Sequence, residues 1–161
     1  MASPFFNRGK IILGAALAAI LWVGCSFGSQ EGRVKLRFIT PQGVESDAFS
    51  MEVMATDAER KQGLMFRRSV PPRQGMIFLF PEAKDHSFWM KNTFIPLDMV
   101  FVGSDWRVVG VLENVPPLTL DSRSVGAPSQ YVLEFAGGTM KSIGVTAGTQ
   151  VRIEGTLPLI Q

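Results

Sequence analysis

LDMVFV (Leu97–Val102), GSD (Gly103–Asp105) and WRVVGVLE (Trp106–Glu113) stand end to end, and this stretch decides the fold class. Two runs rich in β-branched and aromatic residues flank a three-residue turn that contains glycine, which predicts a β-hairpin. A lone hairpin is marginal in water, so it must belong to a larger sheet. Upstream, Met76 to Phe80 (MIFLF) is apolar at every position, as expected of a central strand covered on both faces. Arg33 to Ile39 alternates, with Val34, Leu36 and Phe38 on one face and Arg33, Lys35 and Arg37 on the other. Phe49, Met51 and Val53 alternate with Ser50 and Glu52 after the turn residues Thr40–Gly43. Ser87–Lys91, Tyr131–Phe135 and Gln150–Glu154 complete the expected strands.

Thr56-Asp57-Ala58-Glu59 is a capping box, and it predicts a short helix through Gln62 that stops at Gly63. A Gly-rich, possibly helical connection joins the last two strands. Val115 to Pro128 lacks an apolar period and reads as a long surface loop. Short, closely spaced strands punctuated by Gly and Pro predict a mainly β, compact single domain, a β-sandwich or small barrel with one or two short helices.

The first residues have a different character. Arg8 and Lys10 precede an uncharged run from Ile11 to Val23, followed by Gly24-Cys25 and SFGSQEG. This is the three-part layout of an export signal. The run has 13 residues, whereas a permanent span needs roughly 20. The lone cysteine behind small Gly24 resembles the lipobox of bacterial lipoproteins, with Trp22 at the position usually held by Leu and Leu21 one step further out. That resemblance implies a signal peptide over 1–24, lipidation of Cys25 as the first mature residue, a tether over 25–32, and a domain over 33–161. The expected location is exported and membrane-anchored, facing the periplasm or the cell exterior. Ser26 is not the Asp that retains many lipoproteins at the inner membrane, which favours the outer one in a host with two.

With Arg8 and Lys10 removed from the sixteen basic residues, fourteen face fourteen acids. A near-neutral domain gives no sign of nucleic-acid binding. Its one cysteine lies in the tether, so no internal disulfide is expected.

ERKQGLMFR (Glu59–Arg67), GMIFLF (Gly75–Phe80), FWMKNTFIPLDMVFV (Phe88–Val102) and YVLEF with AGG (Tyr131–Gly138) resemble a prokaryotic family known as domain of unknown function 192. The resemblance runs from about Phe49 to Ile153. It implies a single jelly-roll-like β domain and no established activity. The chain departs from common members in lacking cysteines in the Val115–Pro128 loop and in carrying Asp105-Trp106 where many have Asp-Gly.

Lys91, Asn92 and Asp98 sit among bulky apolar residues, where an unpaired charge is costly. Either they pair with one another or with Arg60, Arg67 or Glu59 in a structural network, or they line a pocket with Trp89 as an apolar wall. Trp89, Lys91, Asn92, Asp98 and Arg60 are therefore the ligand-binding candidates, for a small anionic or sugar ligand or an envelope protein. No catalytic residue, metal site or cofactor is assigned. A competing reading is an envelope enzyme using Asp98, His86 or Glu134, although Glu134 is more simply a residue on the second sheet face. A further one is Cu(I) held by His86 and methionines such as Met65, Met76, Met90 and Met99, against plain packing of those thioethers.

Overall fold

The computed structural model describes Met1 and residues 32–161; the signal peptide, Cys25 and nearly all of the tether lie outside the described residues. Nine elements follow one another: β1 (Arg33–Ile39), β2 (Phe49–Met54), α1 (Asp57–Gln62), β3 (Gln74–Lys84), β4 (Leu97–Val102), β5 (Val108–Val115), β6 (Ser129–Ala136), α2 (Thr139–Ile143) and β7 (Gln150–Glu154). The strands form one sheet in the order β5-β4-β6-β3-β2-β1-β7. β2 and β3 pair in parallel, with α1 in the crossover, and the other neighbours are antiparallel.

The sheet curls until its two edges touch. Val108 N–H donates to Thr149 O at 2.9 Å, and Val151 N–H donates to Trp106 O at 2.8 Å. Of the two expected architectures, the structure is thus the barrel-like one: a single curled sheet closed at one end. At that end the β5 and β7 edges are paired rather than exposed.

Inside the curl, every strand contributes to one apolar cluster, including Leu36, Phe38, Met51, Ile77, Val100, Val108, Leu133, Phe135 and Val151. Phe38, Phe49 and Phe135 meet edge to face at centroid separations of 5.1 to 5.8 Å. A second cluster lies on the outer face of β3, β4 and β6, where Met76, Phe78, Leu97, Met99, Phe101 and Val132 are covered by Leu64 and Met90. Two-sided cover explains why MIFLF is apolar at consecutive positions: Ile77 and Leu79 point inward, Met76 and Phe78 outward.

The capping box forms as expected. Thr56 Oγ1 accepts from Glu59 N at 3.3 Å, and the Glu59 carboxylate accepts from Thr56 N at 2.9 Å. The expected strand at Ser87–Lys91 does not form. Phe88 makes one bridge to Arg123, and the chain then turns at Asn92, which has φ +55°. Its apolar residues Phe88 and Met90 pack down onto the outer cluster, so they serve as a lid rather than an eighth strand.

Candidate functional site

Between α1, the segment that follows it and the 86–93 lid lies a cavity of about 300 Å³ over the outer face of the sheet. Its walls are Leu64, Phe78, Phe80, Phe88 and Trp89, and Glu134 forms its floor. That volume sits at the small end of ligand pockets, ~300–1,000 Å³. The aromatic walls are ordered by edge-to-face contacts, Phe78 to Phe88 at 5.3 Å and Phe80 to Phe88 at 6.3 Å. Gly63 closes one side: a Cβ there would stand 3.1 Å from Phe78 Cζ and 3.8 Å from Glu134 Oε2, and its φ is +45°. A side chain at this position would be strained and would crowd the cavity.

Glu134 occupies the middle of β6, opposite Met76 of β3 and Met99 of β4, and is 5% exposed. Burial alone pushes its carboxyl up to about 8, with no hydrogen bond or neighbouring charge to offset it. At neutral pH the group is therefore protonated and can both donate and accept a hydrogen bond. Its carboxyl makes no hydrogen bond to a described residue and opens onto the cavity, where a bound molecule can reach it. His86 stacks on Phe80 at 3.6 Å, and burial holds its pKa below the ordinary histidine value, so it too is neutral at pH 7.

The structure divides the residues proposed from sequence into two groups. Trp89 and Arg60 line the cavity, whereas Lys91, Asn92 and Asp98 do not. The Arg60 guanidinium is already committed to Ala55 O at 2.6 Å, Leu79 O at 2.9 Å, Asp57 Oδ1 at 2.6 Å and Gln161 O at 2.9 Å. It ties α1 to β3 and to the chain end, and has little capacity left for an anion. Lys91 is exposed, with its ammonium 5.4 Å from the Trp89 ring centroid. Asp98 is fully buried at the start of β4, where its carboxyl oxygens accept from three backbone amides, those of Asn114, Gly138 and Met140.

Of the residues in the competing readings, Glu134 and His86 share the cavity and Asp98 stands apart from it. Met65 also lines the cavity, whereas Met76, Met90 and Met99 are buried in the outer cluster. Among the described residues, no three His, Cys, Asp or Glu side chains converge as a metal site would require. Glu134 was the most informative residue to find, and its signal lay in strand parity. If β3 is covered on both faces, a neighbouring strand reading Val132-x-Glu134 buries its second face as well.

The sequence profile of DUF192, described as "Uncharacterized ACR", matches residues 38–153. No curated protein matches the chain. Two crystal structures are similar in both sequence and fold. One, from Sinorhizobium meliloti 1021 and described as a candidate transcription regulator, is 38% identical with a TM-score of 0.71, over 75% of this chain and 93% of that one. The other, of unknown function from Novosphingobium aromaticivorans DSM 12444, is 36% identical with a TM-score of 0.69, over 74% of this chain and 84% of that one. The profile match covers all seven strands in whole or in part, and the chain belongs to the DUF192 family.

Proposed function

We propose that this protein is an exported, lipid-anchored binding domain whose cavity over Glu134 takes a small, largely apolar, uncharged molecule with one polar group that both donates and accepts a hydrogen bond. An amide, an alcohol or a protonated acid meets that description. The observation that carries this reading is the unpartnered, protonated carboxyl at the floor of an aromatic-walled cavity. Perturbed carboxyls in clefts mark functional sites when a structural ion pair does not account for the shift, and here none does. An anionic ligand fits less well, since Arg60 is occupied, Lys91 lies outside the cavity, and Lys61, the other cation of the lining, is solvent-exposed.

The binding test is a calorimetric or fluorescence titration with small aromatic amides and alcohols, benzamide and benzyl alcohol among them, on the wild type and Glu134→Met. Affinity should be flat below about pH 7 and fall roughly tenfold per pH unit above about 8, as Glu134 ionises and loses its proton for donation. The methionine variant should bind weakly at every pH. Equal affinities for the two proteins would sink the reading. An affinity for amines that rises with pH would replace it by recognition of an organic cation within the aromatic walls.

Anchoring rests on the basic start, the 13-residue apolar run and Cys25. Intact mass of membrane-extracted protein should exceed the mass of the chain from Cys25 onward by the added acyl groups. In Cys25→Ser the addition should disappear. A wild type without added mass removes the anchor and leaves the cavity untouched.

A further inference from the structure

We propose that the face formed by Phe66, Trp89, Phe94, Leu118 and Leu120 docks onto an anionic lipid surface. These five are all solvent-exposed, and apart from Met1 the other large apolar residues exposed among the described residues are Val44 and Leu159. They come from three separate segments gathered around one turn. Phe66 N–H donates to Asn92 O at 2.8 Å, Leu118 N–H donates to Thr93 O at 3.1 Å, and Met90 N–H donates to Thr119 O at 2.9 Å. Phe66 and Phe94 pack edge to face at 6.4 Å.

The way two of these side chains are presented shows that the face is built. Phe66 has φ +65° and Leu118 has φ +60°, a region that bulky residues rarely enter. Each is nevertheless held there by its backbone bond to the same turn, and each points its side chain outward, 64% and 60% exposed. Local strain that ends in an exposed apolar side chain marks a contact made outside the chain.

Charge identifies the partner. Segments 57–68, 85–96 and 116–125 carry Arg60, Lys61, Arg67, Arg68, Lys91 and Arg123 against Asp57, Glu59, Asp85 and Asp121. Arg60, Arg67 and Arg123 are in ion pairs, while Arg68 and Lys91 make no ion pair among the described residues. Arg68 lies over Phe94 at 5.9 Å and Lys91 over Trp89 at 5.4 Å. Aromatic and aliphatic tips interleaved with free cations suit the boundary between acyl chains and anionic headgroups.

β1 begins at the same end. Arg33, the first residue of β1, pairs with Glu52 at 3.0 Å, and Glu52 pairs with Arg67 at 2.6 Å, next to Phe66. Eight residue steps from Cys25 to Arg33 span at most ~29 Å, so a lipid on Cys25 holds this end of the domain close to the bilayer. On this point the inference rests on the anchored reading, whereas the composition of the face stands without it.

The test is hydrogen exchange of the full chain on vesicles of phosphatidylcholine alone and of phosphatidylcholine with phosphatidylglycerol. Amides in 64–68, 89–94 and 116–121 should exchange more slowly on the anionic vesicles than on the neutral ones. Replacing both Arg68 and Lys91 with Gln should reduce the ratio of docked to undocked protein about 30-fold, at roughly 1 kcal/mol for each charge. Phe66→Asn with Leu118→Asn should also abolish the protection, since Asn accepts positive φ and removes only the apolar tip. Equal exchange on the two vesicles overturns the proposal. So does protection that needs no vesicles and grows with protein concentration, which would make the face a contact between copies. A chain retained on both vesicles without protection keeps the anchor and overturns the docked face. A chain washed off neutral vesicles but protected on anionic ones removes the anchor and supports the face.

Discussion

Asp98→Ala is expected to lower the unfolding free energy by about 3–5 kcal/mol and the melting temperature by roughly 10–20 °C. Asp98 Oδ1 accepts from Asn114 N at 2.7 Å and Gly138 N at 2.9 Å, and Oδ2 accepts from Met140 N at 2.7 Å. Alanine would leave those amides without an acceptor, and each buried unsatisfied group costs about 1–3 kcal/mol. The three amides belong to different parts of the fold. Asn114 lies near the end of β5 with φ +50°, while Gly138 and Met140 begin α2, whose N-cap glycine has no side chain to cap it. Asp98 therefore supplies from β4 the cap that α2 lacks. Asp98→Asn retains one carbonyl oxygen and should lose about half as much. Urea unfolding of the three proteins measures this directly. A loss below about 1 kcal/mol for alanine would mean that the amides find other acceptors, and the structural role assigned to Asp98 would fail.

Asp98 also shows which links between sequence and site were legible. Its conflict with its surroundings is plain in the sequence, since an acid inside LDMVFV must be satisfied. The sequence offers nearby cations as partners, yet the satisfying groups are backbone amides 16, 40 and 42 residues away. Backbone donors carry no side-chain signature, so residue types could not reveal them. The hairpin, the central strand and α1 were legible because each is set by local chemistry: a glycine turn, apolar residues on both faces and a capping box. FWMK misled for the opposite reason. Phe88 and Met90 imitate a period of two, but they are apolar because they cover Phe78 and Phe101 from above, and a lid has the same demand for burial as a strand. The cavity belongs to the same element, since Phe88 and Trp89 of the lid wall the space over Glu134.

Glu134→Met should stabilise the protein at neutral and alkaline pH and remove most of a pH dependence present in the wild type. The folded carboxyl titrates at about 8 and its ordinary value is 4.5. Between those values the folded chain keeps a proton that the unfolded chain has released, so the folded state binds more protons and stability falls as pH rises. The cost is absent below about 4.5, reaches on the order of 3 kcal/mol at pH 7, and is complete above about 8 at on the order of 5 kcal/mol. Methionine matches the length of glutamate, and its thioether suits an outer cluster that already packs Met76, Met90 and Met99. Urea unfolding at about pH 5, 7 and 8.5 should give curves for the two proteins that nearly meet at the lowest pH and separate progressively above it. Parallel curves would show that Glu134 finds a partner or water on folding, and would remove the unpartnered acid on which the binding reading rests. Diverging curves together with lost ligand binding would explain why a residue so costly to the fold stands there. The domain would then be giving up several kcal/mol of stability at neutral pH to keep a proton donor at the floor of its cavity.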